Sequence, residues 1–198
     1  MNRTLTALLG AFLFAAPALA QGGAETGVIN RPSGPTAADY PEDSPNWRPM
    51  GEAAAAAQAD GDLVLIHAYT EWCGWCRRLD QDTYTDDAIQ AYLADNYEVT
   101  RLDIESPEEI DFFGGTVPMR ELGQAFEVSG TPTTVFLDSD GTFITKAPSY
   151  WPPDQFLHVL RYVREGFYEL MPFDAYVEMA EAETAPEAAP ETDPEQGG

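Results

Sequence analysis

Cys73 and Cys76 are the only cysteines in a chain of 198 residues, and two residues separate them. They follow an apolar run, Leu63-Val64-Leu65-Ile66, that reads as a buried strand, and they precede a polar segment that can continue as a helix. A strand that delivers a Cys-x-x-Cys to the start of a helix constrains both fold and chemistry. The unpaired N–H groups and the positive end of the helix dipole favour a thiolate over a thiol. Cys73, at that end, is expected to have the lowered pKa and the exposure of an attacking thiolate. Cys76, about one turn further in, is expected to be shielded and close enough to form the disulfide, as in a dithiol redox centre.

Other uses of a cysteine pair fit less well. A structural zinc site usually needs four ligands, and beyond the pair the chain offers only His67 and His158. Haem attachment needs a histidine directly after the second cysteine, where Arg77 stands. A purely stabilising disulfide at this spacing closes a very short loop and restrains little of the unfolded chain.

Two stretches resemble the thioredoxin-fold superfamily. One is Trp72-Cys73-Gly74-Trp75-Cys76 after a buried strand; the other is Gly130-Thr131-Pro132-Thr133, ahead of a strand at Thr134-Val135-Phe136-Leu137. The resemblance implies an α/β fold with a central mixed sheet flanked by helices. It also implies a cis Thr131–Pro132 bond facing the sulfurs, and a substrate-binding surface made by Trp72, Trp75, Thr131 and Pro132. A narrower likeness, over about residues 50 to 180, is to the SoxW-type periplasmic thioredoxins. Thioredoxins proper usually carry Gly-Pro between the cysteines, so Trp75 departs from their pattern. His67, six residues before Cys73, stands where that family has a buried aspartate that assists proton transfer at the second cysteine. An imidazole titrating near neutrality can take that part; a core histidine with a satisfied hydrogen bond is the alternative.

Around this centre the chain divides into four parts. Residues 1–20 read as an export signal: Arg3, an apolar run from Leu5 to Ala16, and the cleavage site Ala18-Leu19-Ala20. The run is shorter than the ~20 residues a membrane span needs. Residues 21–49 form a flexible lead rich in Gly, Pro and acids, with Trp47 placed to pin it to the domain; residues 50–180 form the thioredoxin-like domain. From Glu181 to Gly198 runs an acidic, disordered tail. Ten Lys and Arg against 34 Asp and Glu give a net charge of −24, and Lys146 is the only lysine. Such a surface rejects nucleic acid and anionic membrane; it either attracts basic partners or simply keeps the protein in solution.

Within the domain, Glu105 to Val117 reads as an inserted surface loop whose aromatics Phe112 and Phe113 serve either as a partner contact or, the favoured reading, as packing on the body. Arg77 and Arg78 read as a solvated face. Asp138-Ser139-Asp140-Gly141 marks a hairpin turn into an edge strand. Pro152-Pro153 opens a helix whose Phe156, Leu157, Leu160 and Val163 cover the sheet, with His158 exposed beside that stripe. Pro172-Phe173-Asp174 starts a small extra helix.

The residues point to a periplasmic thiol–disulfide oxidoreductase that acts on protein substrates as a monomer. It needs no metal and no cofactor beyond the Cys73–Cys76 disulfide. No histidine lies between the cysteines to stabilise the thiolate, which favours the reducing direction. A reductant outside the cytoplasm needs electrons from a membrane partner, and the SoxW resemblance implies a CcdA-type protein. Two other classes stay open: a non-catalytic binding module with an inert disulfide, and a metallochaperone holding copper(I) on Cys73 and Cys76.

Overall fold

All seven residues of β1 (Leu63–Tyr69) are buried. Side chains alternate across a strand, so such a strand needs cover on both faces. The computed structural model, which describes residues 44–184, shows where the cover comes from. The stretch read as an export signal, the lead as far as residue 43 and the tail beyond Thr184 lie outside the described residues. The sheet runs β2-β1-β5-β6, with β2 (Tyr97–Asp103) parallel to β1. β5 (Thr133–Leu137) is antiparallel to β1, and the edge strand β6 (Phe143–Pro148) is antiparallel to β5.

Alternate residues build two cores. Leu63 and Leu65 of β1, Val99 of β2 and Phe136 of β5 meet α2 (Gly74–Asp82), α3 (Asp87–Asn96) and α5 (Pro153–Arg164) through Leu79, Ile89, Leu93, Phe156 and Leu160. Val64 and Ile66, with Leu102, Val135 and Leu137, meet α1 (Met50–Asp60) and α4 (Met119–Ala125) on the other face. This is the expected mixed sheet with helices on both sides. Local chemistry sets the helix ends. Gly61, at φ 80°, closes the alanine-rich α1 by donating its N–H to Ala57 O, and Asp86 caps α3 by accepting from Ala88 and Ile89. Trp47 packs on the first core, and Arg48 bridges to β2 by donating to Val99 O at 3.0 Å. Among the described residues no helix is long and apolar enough to cross a membrane.

Three expectations need correction. The segment read as a loop at 105–117 contains a β-hairpin, β3 (Glu109–Phe112) with β4 (Gly115–Pro118). Its turn, Phe113 at φ 47° and Gly114 at φ 80°, has the two left-handed residues that match a hairpin's twist. Phe112 is buried in the second core and Phe113, half-buried, packs against it, so the packed reading holds for both aromatics. His158 is half-buried rather than exposed, because α6 (Phe173–Thr184) brings Tyr176 to 6.3 Å from its ring. That helix is also longer than expected and runs through Glu181 to Thr184, four residues into the stretch assigned to the tail.

The hairpin rests on Gly51, where a Cβ would lie 2.8 Å from the carbonyl oxygen of Asp111. In an ordinary helix Gly→Ala gains up to about 1 kcal/mol. Here the obstacle is backbone, so Gly51→Ala is expected to lose about 1–3 kcal/mol, the range for overpacking. Urea unfolding measures this; a variant as stable as the parent or more so would show that the hairpin is not docked there.

Candidate active site

The site forms where β1 ends. Ala68 pairs with Thr133, so the turn before β5 lies beside the turn after β1. The Thr131–Pro132 bond in that turn is cis. Oγ1 atoms of Thr70 and Thr131 lie 3.4 Å apart and share a hydrogen bond between the two turns. The Cys73 N–H donates to Thr70 O at 3.0 Å, which folds the chain back into α2. Cys73 is the N-cap of that helix, and its sulfur accepts the Cys76 N–H at 3.0 Å. The two sulfurs form a disulfide with Cα atoms 5.2 Å apart. The first turn of α2 holds no acidic residue to offset its dipole.

In this oxidised state the sulfurs differ little in exposure: Cys73 is 4% exposed and Cys76 3%. The expected openness of Cys73 is therefore not found with the bond closed; the disulfide forms a small buried cluster with Tyr69. The exposed groups are the indoles beside them, Trp72 at 70% and Trp75 at 57%. Each is tethered. Trp72 donates its Nε1–H to Glu105 Oε2 at 3.1 Å. Trp75 lies 5.6 Å from the Tyr150 ring, and the Arg78 guanidinium stands 5.7 and 5.6 Å from those two rings. Asp82 completes this clasp by accepting from Arg78 Nε at 2.9 Å and from the Tyr150 hydroxyl at 3.2 Å. Ser149, left-handed at φ 77°, aims Tyr150 while its N–H donates to Pro132 O at 2.8 Å. Arg77 remains on the exposed side of α2, as expected, with its guanidinium on Glu71 O.

Cys73, Cys76, Trp72, Trp75, Thr131 and Pro132 thus gather at one end of the sheet. His67 lies deeper. It is fully buried, its ring stacks on Tyr69 at 6.1 Å, and among the described residues neither ring nitrogen has a hydrogen-bond partner. Burial first, and the charge of Arg101 second, push its pKa well below 6.5. Arg101 is the β2 neighbour of His67 and pairs with Asp80 of α2. Burial raises the Asp80 carboxyl from 3.8 to about 6, outweighing the guanidinium that pulls it down. No motif in the sequence marks Asp80, Arg101, Tyr69 or Tyr150. Asp80 and Arg101 were visible as charges at positions whose neighbours in the pattern face the core.

Comparison with known proteins agrees with this geometry. Over 106 residues, 52% of the chain, the sequence is 31% identical to the thiol:disulfide interchange protein DsbD of Yersinia pestis, of which it spans 16%. A thioredoxin-fold protein from Helicobacter pylori superposes with a TM-score of 0.54 at 23% identity, covering 63% of this chain and 88% of that one. A thioredoxin from Thermus thermophilus superposes at 0.51 with 29% identity, covering 61% of this chain and 87% of that one. The family model of the thioredoxin-like domain matches residues 50–164, more than half of the chain, and the protein belongs to that family.

Proposed function

We propose that the protein is a periplasmic thiol–disulfide oxidoreductase that reduces disulfides in protein substrates. The observation that carries this reading is the Cys73–Cys76 disulfide at the N-cap of α2, flanked by two exposed indoles and the cis-Pro132 turn. In the reducing direction the Cys73 thiolate attacks a substrate disulfide. One substrate sulfur leaves as a thiolate, and Cys73 is joined to the other. Cys76, as thiolate, then attacks Cys73 Sγ; the bond to the substrate breaks and the Cys73–Cys76 bond forms. Two electrons pass to the substrate, whose thiolates take up protons. Similarity to DsbD, a thiol:disulfide interchange protein, supports this class of chemistry. The export signal supports the location, and a reductant there requires an electron donor, for which the SoxW likeness suggests a CcdA-type membrane protein.

The direction follows from how little stabilises a Cys73 thiolate. The helix terminus favours it, and so does Arg77 with its guanidinium on Glu71 O, but Arg78 is committed to Asp82 and the dipeptide Gly74-Trp75 offers no cation. A chain with net charge −24 disfavours any new anion. Equilibration against glutathione is expected to give a potential nearer thioredoxin's, about −270 mV, than the about −120 mV of the strong oxidant. A value above about −180 mV would make the protein an oxidant or isomerase of its clients.

Cys73 is expected to be the nucleophile. Limited alkylation of the reduced protein at neutral pH, followed by peptide mapping, should label it first, and Cys76→Ser should accumulate mixed disulfides through Cys73. Preferential labelling of Cys76 would reverse the assignment. A Cys76→Ser protein that traps no client disulfide would favour the binding-module reading instead.

A further inference from the structure

β1 and β2 run parallel with Tyr69 opposite Asp103, so the turn after β2 opens beside the turn that carries the cysteines. Backbone bonds fix it there: the Ile104 N–H donates to Tyr69 O at 3.1 Å, and the Ser106 N–H to Asp103 O at 3.1 Å. The Glu105 N–H donates to Asp103 Oδ1 at 3.0 Å. Glu105 is thereby set, exposed, where its carboxylate accepts the indole N–H of Trp72, the residue directly before Cys73. We propose that Trp72 and Glu105 form a subsite selecting client disulfides flanked by a basic side chain, arginine ahead of lysine. This rests on the oxidoreductase reading above and names its substrate class.

The other side of the disulfide shows the same pairing complete. There the Arg78 guanidinium stands 5.7 Å from the Trp75 ring centroid, and Asp82 accepts from Arg78 Nε at 2.9 Å. The cation is attracted to the ring face and to the carboxylate together. On the Trp72 side an indole and a carboxylate recur, joined at 3.1 Å, and among the described residues no cation stands over the ring. The indole is 70% exposed with its N–H engaged by Glu105, so a client meets an apolar face with an acid at its edge. Arginine suits this better than lysine, because its planar guanidinium stacks on the ring and keeps N–H groups for a carboxylate. An apolar client side chain gains nothing from Glu105, and an acidic one is repelled by it.

Charge on this side favours the same occupant. Glu71 precedes Trp72, and Asp103 accepts the Glu105 N–H; among the described residues none of these three acids has a salt bridge. The nearby bases are otherwise placed. Arg77 rests on the Glu71 carbonyl rather than on a carboxylate, Arg101 pairs with Asp80, and Arg120 meets the turn by donating its backbone N–H to Ser106 O at 3.0 Å. Arg77 repels a basic client, but three acids stand against that one charge. The net charge of −24 also draws basic molecules to the whole surface, so a test must separate the local subsite from the general field.

Reduction of a peptide with one internal disulfide, its cysteines flanked by Arg, Lys, Gln or Glu, by the reduced full chain reads the preference. Each rate is divided by the rate with dithiothreitol, an uncharged reductant, which removes the effect of neighbouring charge on the disulfide itself. An exposed cation–π contact and an exposed ion pair each contribute about two- to fivefold, so the Arg peptide should react about tenfold faster than the Gln peptide. The Lys peptide should fall between them, and the Glu peptide should be slowest. Glu105→Gln keeps an oxygen for the indole and should cut the Arg-to-Gln ratio to about threefold. Trp72→Leu should cut it similarly and bring Lys close to Arg. Glu178→Gln removes the same charge from α6 and should leave the ratio at the parent value. A parent ratio below about twofold overturns the inference. So does a ratio untouched by Glu105→Gln or by Trp72→Leu, or one lowered as far by Glu178→Gln. A reduced protein that reacts with none of the peptides overturns the oxidoreductase reading as well.

Discussion

Burial of β1 on both faces is the constraint from which the rest of the structure follows. Seven consecutive buried residues oblige helices to pack above and below the sheet, and they place the end of the strand at a fixed point between those layers. The chain turns there through Thr70 and Trp72, so Cys73 is set, buried in the closed disulfide, at the first free N–H groups of α2. The parallel and antiparallel neighbours of β1 supply the remaining parts. β2 brings Arg101 beside His67, and β5 starts directly after the cis-Pro132 turn. The site is thus a product of sheet register as much as of the Cys-x-x-Cys itself.

Around the sulfurs the structure separates an outer from an inner layer. Outside, Trp72 and Trp75 present large apolar faces, each fixed at its edge by an acid or a clasp; in the proposed substrate-binding role this would limit the freedom lost on binding. Inside, Tyr69 carries the contact from the sulfurs down to the Asp80–Arg101 pair and to His67. The fold holds three polar side chains beneath the disulfide, and their burial drives the histidine and the carboxylate pKa values in opposite directions. One strand position, His67, therefore cannot be judged apart from its neighbour across the sheet.

Local chemistry explains what was legible in the sequence. The buried strand, the cysteine spacing, the Asp138–Gly141 turn and the proline-led α5 each depend on a few adjacent residues, and each appears where its signal stands. Features built by pairing distant segments were harder to read. Tyr150 meets Trp75 only because β6 returns beside β5, and His158 is covered only because α6 folds back with Tyr176. The hairpin at 109–118 had a signal, Ile110 and Phe112 alternating with acids before Gly114-Gly115, but four-residue strands barely register as a period. Asp80 shares a helical stripe with Cys76 and Leu79, and Arg101 follows Val99 at the inward positions of β2. Each could have been found as a charge on an apolar face; that they meet could not.

Turnover of insulin by the purified, pre-reduced protein with dithiothreitol as electron source decides whether Cys73 and Cys76 exchange disulfides, as proposed, or merely staple a turn. Exchange should precipitate the freed insulin B chain well above the dithiothreitol background, and Cys73→Ser should lose that excess. Insulin left at the background rate by the parent protein would contradict exchange and leave the disulfide a structural bond.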